Sequence, residues 1–523
     1  MKRSILLATT MMSVAVASTE AQNMVDAARY SQTDIIGTAR YRSMAGAFGA
    51  LGGDPTCMND NPAGIGIYRG TNTFSITPHF TYNGTESKGA VKLKEDNNNF
   101  AVSDLSAIIS FRLYNESVVN FNLGVGFTRR MENQNRMLAA MDSPYGTFGG
   151  YLAGQANHYL HGDPGHKRFP GIEFDWGNTN SYAPFLSMMA YDCYAIDNDP
   201  NDNTSVIDPN AGLSTYTQDL YMRETSRMDN YNISGAVNIG DMLYIGATMS
   251  ISDFNSIVSS EFTEEYNDGD YYTYYDNRFE TKGSGVGFNV GVLWNAVDNL
   301  RLGAALHTPT WYTMDSYCEG AMTTDQCEER NYWSDYNDTW RYDFYTPWEY
   351  QLSAAYIFGT KGLLSMEYDL RDFTTMKYRS ANNNSDNAGY EIYNDRMDNF
   401  MALQHTFKAG AEYRLTDEIS LRGGYAFITS PFEEKTLKGK IPTDQHNLVY
   451  YETTKPNSAN LGSQYYTTCG LGWRGENWTI DCSYMYHHSK YHMIAYPGDF
   501  AKFDAVEVNM GKHDFDITFG YRF

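Results

Sequence analysis

Residues Lys512–Phe523 read KHDFDITFGYRF, and they alternate without a break. His513, Phe515, Ile517, Phe519, Tyr521 and Phe523 fall on one side; Asp514, Asp516, Thr518, Gly520 and Arg522 fall on the other. Successive side chains of a strand point to opposite faces, so this stretch has one apolar and one polar face. The same rule runs through VVNFNLGVGF, where Val119, Phe121, Leu123, Val125 and Phe127 oppose Asn120, Asn122, Gly124 and Gly126. It returns in WEYQLSAAYIF, LLSMEYDL, FKAGAEYRL and ISLRGGYAF.

Working outward gives fourteen such segments, near 71-83, 104-114, 117-130, 226-239, 242-258, 278-295, 299-309, 346-358, 361-374, 404-415, 418-429, 464-474, 477-489 and 511-523. Odd segments are followed by long polar loops, the largest being 131-225, and even segments by turns of a few residues such as Gly240-Asp241 and Thr416-Asp417. Sorting of loops by parity is the mark of an outer-membrane barrel, with short turns in the periplasm and long loops outside. The fold expectation is therefore all-β: a 14-stranded antiparallel transmembrane β-barrel over residues 71-523 with both chain ends periplasmic. The aromatics Phe519, Tyr521 and Phe523 then form the terminal signal through which a barrel-assembly machinery would take the chain.

The rest of the sequence agrees with export. Lys2 and Arg3 precede the apolar run Ile5 to Ala17, and small residues stand before Gln22, which reads as a signal peptide over 1-21. No uncharged apolar run approaches the ~18 residues of a membrane helix. A net charge of -24 argues against nucleic acid as a partner. Inward positions carry charges of both signs, among them Arg112, Arg301, His307, Glu367, Asp369, Arg371, Lys408, Glu412, Arg414, Arg422, Asp481 and Arg522. A lumen so polar holds either water or a polar filler. The filler expected here is the segment 22-70, which has no strand of its own and ends in GALGGDPTCMNDNPAGIG, a glycine- and proline-rich run suited to tight turns and close backbone approach.

The stretch GTARYRSMAGAFGALGGDPTCMNDNPAGIG resembles the N-terminal hatch of the FadL/TodX (OmpP1) outer-membrane transporters. The matching positions are Ser43, Met44, Ala45, Gly46 and Ala47, with Gly49 beyond them, then Asp54, then Asn61, Pro62, Ala63 and Gly64. The extra Cys57 and the long acidic loop after the third strand depart from the pattern. The resemblance implies a noncatalytic channel that takes up apolar molecules, such as long-chain fatty acids or aromatic compounds, by capture at the loops, movement of the hatch and exit through the wall. Its implied surroundings are outer-membrane lipid and lipopolysaccharide, an apolar ligand or detergent, and no cofactor. The second functional class is an accessory barrel within a larger outer-membrane secretion or assembly complex.

Two apolar runs inside the largest loop, TFGGYLAGQANHYL and SYAPFLSMMAYDCYAI, offer a capture groove: Phe148, Tyr151, Leu152, Tyr159, Leu160, Phe185, Leu186, Met188, Met189, Tyr191 and Tyr194. Apolar surface of that size is costly in water unless packed or used. His158, His161, Asp163 and His166 fit no standard metal spacing, and DNDPNDNTSVID lacks the glycine and terminal Glu of a calcium loop, so no metal site is expected. No nucleophile-His-acid set has spacing support. A two-residue turn at Gly475-Glu476 would place Cys469 directly opposite Cys482, within bridging geometry, and Cys318 and Cys327 could staple the loop they share.

Overall fold

The computed structural model describes residues 24–523 except 89–91, 93, 114–116, 143–145, 163–184, 213–215, 267–270, 328–330, 335–339, 382–387, 439–456 and 497–504. The signal segment therefore lies outside the described residues. The wall is a closed barrel of fourteen antiparallel strands. In chain order they are β1 (Thr73–Ser87), β2 (Lys94–Arg112), β3 (Val118–Asp142), β4 (Tyr216–Ile239), β5 (Leu243–Tyr266) and β6 (Tyr271–Val297). Three interrupted strands follow: β7 (Leu300–His307 and Trp311–Thr324), β8 (Trp340–Tyr345 and Trp348–Phe358) and β9 (Gly362–Asp372 and Lys377–Ser380). The last five are β10 (Leu403–Arg414), β11 (Ile419–Ile428), β12 (Ser458–Arg474), β13 (Trp478–Ile494) and β14 (Val506–Arg522). Closure comes from β14 pairing with β1, Tyr521 opposite Phe74 and Phe515 opposite Phe80.

On β6 the outward residues Val286, Phe288, Val290, Val292 and Trp294 are all exposed, a nine-residue apolar band of the length a tilted strand needs to cross a bilayer. Above Val286 the same face turns to Lys282, Glu280 and Arg278, and on β5 it turns from Ile251 to Asp253. Strand pairing sets Ile251, Val286, Trp311 and Tyr345 at one level, which marks the upper edge of the band. The interruptions in β7, β8 and β9 sit just beneath it, at Pro309, Pro347 and Phe373–Thr375. Proline has no N–H to give to a ladder, so the breaks in β7 and β8 follow from the sequence; that in β9 is a 3-10 turn capped by Asp372, which accepts from Thr374 N.

At the turn end every wall strand begins or ends within two residues of the segment boundaries read from sequence. The loop ends run further. β3 continues to Asp142 and β4 starts at Tyr216, so the long connection is 143–215 rather than 131-225. Where strands leave the lipid band, their outer faces become polar and the alternation that betrays them disappears.

The expected disulfides are corrected. Gly475 N bonds to Trp478 O at 2.9 Å, so the two turn residues are Glu476-Asn477 rather than Gly475-Glu476, and this one-residue move of the turn shifts the register by two. Cys469 stands opposite Tyr484 and Cys482 opposite Leu471, both thiols facing outward and unbridged. Cys318 packs with Phe279 on the wall, while Cys327 lies against a different apolar cluster, so the structure does not draw that pair together.

Candidate functional site

Residues 24–70 run inside the barrel. They form two short helices, α1 (Met24–Tyr30) and α2 (Ala39–Ser43), and the 3-10 turns Pro55–Met58 and Pro62–Ile67. Each turn is started by a side chain that caps it: Thr38 accepts from Tyr41 N, Asp54 from Thr56 N and Asn61 from Ala63 N. Thr38 Oγ1 also donates to Asp54 at 2.8 Å, tying α2 to the first turn. Gly53 N donates to Gly64 O at 3.0 Å, closing residues 53–64 into a loop. Met44 and Ser43 are buried, and Gly46 adopts φ +75, a conformation that residues with a Cβ rarely hold.

The Asn-Pro-Ala-Gly tetrapeptide is where this hatch meets the wall most closely. Asn61 Nδ2 donates to Gly49 O at 2.7 Å and to Val292 O at 3.1 Å. A Cβ on Gly291 would stand 2.0 Å from Asn61 Oδ1, and one on Gly246 would stand 2.4 Å from Pro62 C. Farther round, Gly410 and Gly424 admit Met44, and Gly303 admits Gly49. We expect Gly291→Val to destabilise the seated hatch by about 1–3 kcal/mol through overpacking, read as faster proteolysis of the hatch in the folded barrel.

Charged pairs anchor the seat. Arg42 is fully buried; its two NH groups donate to Asp514 Oδ2 and Asp516 Oδ1, each at 2.6 Å. His79 Nδ1 lies 2.7 Å from Asp516, and Thr81 Oγ1 donates to Asp514 at 2.7 Å. Glu367 accepts from Gly49 N at 2.7 Å and pairs with Lys408 at 2.6 Å. Thr81, His79 and Asp516 stand in the order of a nucleophile relay. The Thr81 proton, however, is given to Asp514, and the whole group is buried, so the arrangement is a charge-balanced lock.

Asp60, one residue before the tetrapeptide, accepts from Gln351 Nε2 at 2.7 Å through Oδ1, while its buried Oδ2 has no hydrogen-bond partner. Burial pushes its carboxyl up from the ordinary 3.8 to about 6; Lys408 pulls against that shift and the Asp369 carboxylate adds to it. A raised value in the folded state means that its contribution is fully present below about pH 3.8 and is lost as pH rises through about 6. Hydrogen exchange of hatch amides should therefore report seating weaker by about 2–3 kcal/mol at pH 8 than at pH 4. Asp60→Asn should flatten that dependence.

Above the hatch the barrel is filled by a Met- and Tyr-rich cluster that includes Tyr30, Met131, Met137, Met222, Phe254 and Tyr342. Two loop helices cap it, α3 (Phe148–Gly162) and α4 (Phe185–Asp192). Of the groove residues expected from sequence, Phe148, Tyr151, Leu152, Leu186 and Met189 point into this cluster and are buried; Tyr191 packs against it and Tyr194 is exposed. The side chains of Tyr159, Leu160, Phe185 and Met188 lie outside the described residues. Phe148 N donates to Glu264 at 2.9 Å, which fixes α3 to the top of β5. Between hatch and wall, at the level of the strand breaks, lies a cavity of about 70 Å³ lined by Tyr30, Arg130, His307, Thr310, Glu349 and Arg371, among others.

The wall itself is incomplete at one seam. The β2–β3 ladder pairs Asp104–Arg112 with Asn120–Thr128 and stops there, although β2 continues to Lys94 and β3 to Asp142. Arg130 bulges out of register with β4, and its carbonyl accepts from Asp34 N of the hatch at 2.9 Å. Beyond it, the edge carbonyls of β3 are satisfied by side chains of other strands: Thr85 Oγ1 reaches Arg136 O at 2.6 Å and Lys512 Nζ reaches Glu132 O at 3.1 Å. Among the described residues, side chains bridge to β2, with Asn99 donating to Glu132, Asn97 to Gln134 at 2.9 Å, and Arg136 to Glu95 at 2.7 Å.

The hatch residues Gly49, Asp54, Asn61, Pro62, Ala63 and Gly64 read from sequence come together in one seat. Arg42 and the seam residues were not among them. A signal for Arg42 did exist: two inward carboxylates at Asp514 and Asp516 need a buried cation, and the hatch offers few. Phe519 and Phe523 face outward, with Tyr521 stacked on Phe523 at 5.8 Å.

No protein-family model and no curated protein matches the chain. Solved structures do. A Pseudomonas aeruginosa FadL homologue aligns over 94% of this chain and 99% of its own, with 12% identity and a TM-score of 0.54. The CymD monoaromatic hydrocarbon channel aligns over 93% and 97% at 10% identity and 0.50. A deltaS2 mutant of the TodX monoaromatic hydrocarbon channel aligns over 93% and 99% at 10% identity and 0.52. The chain therefore shares the fold of FadL-type channels along nearly its whole length.

Proposed function

We propose that the protein is an outer-membrane channel through which hydrophobic compounds pass without an energy source, entering at the loop end and leaving sideways between β2 and β3. The observation that carries this reading is the seam. A barrel gains stability from every paired strand, and here one pair is left unzipped above Asp104 and Thr128 directly in front of the hatch. An apolar molecule leaving there emerges at the upper edge of the lipid band, beside the exposed Phe100 of β2, without crossing the polar lumen floor. The cluster above the hatch suits the first part of the route, because methionine side chains repack readily around an apolar guest. Orientation follows the same reading: turns and chain ends face the periplasm, and the helices α3 and α4 face outward.

The test is to close the seam. Asn97→Cys with Gln134→Cys, crosslinked across the side-chain rung, should lower uptake of oleate and toluene by about tenfold or more and recover on reduction. A control crosslink at Ser234→Cys and Thr248→Cys joins strands that are already laddered, their hydroxyls 2.6 Å apart, and should leave uptake unchanged. Full uptake through a crosslinked seam would overturn the lateral route. Co-purification of a large membrane partner with no apolar molecule in mild detergent would favour the accessory-subunit reading instead.

A further inference from the structure

The floor of the barrel, at the turn end, holds a second hollow that the proposed route does not use. It measures about 180 Å³ and is lined by Arg40, Arg414, Arg422, Arg474 and Arg522 together with Glu412, Asp417, Glu418 and Asp481. In a chain with 63 acidic and 39 basic residues, five arginines on one small hollow are an unusual local excess. The space exists because short residues separate the arginines along the strand pairing: Arg414 faces Ser420, Ser420 faces Gly472, and Arg474 faces Thr479. A Cβ on Gly472 would collide with Asp481 Oδ1 at 2.4 Å and with Arg422 at 2.6 Å.

The buried carboxylates are already committed. Glu412 accepts from Arg40 at 3.3 Å and from Arg422 at 2.7 Å, and Asp481 accepts from Arg422 at 2.5 Å. Glu418 accepts from the Trp473 indole at 3.3 Å, and Asp417 lies in the β10–β11 turn. The side chains of Arg414, Arg474 and Arg522 have neither a hydrogen bond nor an ion pair among the described residues. Guanidinium groups present planar donor forks that fit carboxylate and phosphate oxygens in pairs. Gathering three of them round one hollow costs electrostatic energy that a bound anion offsets.

We propose that this arginine-lined hollow is a binding site for a small organic anion presenting a carboxylate or phosphate group. The anion lies beside Arg40 of α2, so its occupancy also holds that helix of the hatch down. The site is independent of the transport reading.

The full-length barrel, folded in a nonionic detergent, is titrated calorimetrically with inorganic phosphate and separately with hexanoate. Binding of at least one is expected, weakened about tenfold or more in Arg474→Gln/Arg522→Gln and less in Arg474→Lys/Arg522→Lys, which keeps the charge but loses the fork. Binding of phosphate alone assigns the site to phosphate monoesters or lipid headgroups; binding of hexanoate alone assigns it to carboxylates. Should the Gln variant fold poorly, the Lys variant and Arg414→Gln carry the test by the same comparison. Absence of binding by both anions, or affinity unchanged in all three variants, would overturn the proposal.

Discussion

Replacing Arg42 with Met should unseat the hatch. The guanidinium lies with no solvent exposure between Asp514 and Asp516, 2.6 Å from each, and its loss leaves two buried carboxylates with His79, Thr81, Ser483 and the nearby Lys512 ammonium to answer them. Removing one partner of a buried ion pair typically costs about 3–5 kcal/mol. Most of that cost falls on the contact between hatch and wall, because Arg42 belongs to α2 and the aspartates to β14. The urea midpoint of the vesicle-inserted barrel should fall modestly, while conductance in a planar bilayer should rise as the lumen opens. Arg42→Lys should restore part of the seat, since one ammonium cannot span both carboxylates as a fork. Adding Asp514→Asn and Asp516→Asn to Arg42→Met should recover much of the loss. A hatch as protease-resistant in Arg42→Met as in the parent would contradict this account.

The second large effect concerns the lipid face. Val290 lies at the middle of the outward apolar band of β6, while Ile257 on β5 lies above the level of Ile251 where that band ends. Val290→Arg should cost about 2–4 kcal/mol of folding free energy into vesicles, whereas Ile257→Arg should cost about 0–1 kcal/mol. The readout is the urea midpoint of each variant in the same lipid. Equal midpoints would mean that lipid does not surround the band.

These two sites also show what could be read in advance. Val290 belongs to a run in which every second residue is apolar, and such runs announce all fourteen strands and their turn-end boundaries. The upper reaches of the strands were hidden because Lys282, Glu280 and Arg278 face solvent there, leaving two polar faces and no period. The seam was hidden for the same reason: Glu95, Asn97 and Asn99 alternate with Asp96 and Asn98, which reads as loop. Register at the β12–β13 turn depended on which two residues make the turn, Gly475-Glu476 or Glu476-Asn477, and that one-residue move put the cysteines two residues out of register. In the hatch, the tetrapeptide at Asn61 was legible as a motif. The glycines that receive it, Gly246 and Gly291, lie far along the chain on different strands, and local pattern carries no record of such meetings.

The unequal strand lengths give the molecule a high side and a low side. Asp253–Tyr266 alone carries β5 on the order of 40 Å past the lipid edge along its own axis, at about 3.3 Å per residue, while β11 ends at Ile428. β3 to β6 therefore stand as a parapet on one flank, and the opposite flank is a sill covered by the helix Ala388–Phe400 and the short helix Glu434–Leu437. In the orientation proposed above, a bulky visitor such as an antibody or phage tail fibre would meet the parapet first. In the same orientation, a small molecule arriving along the outer membrane surface would have the shorter climb over the sill.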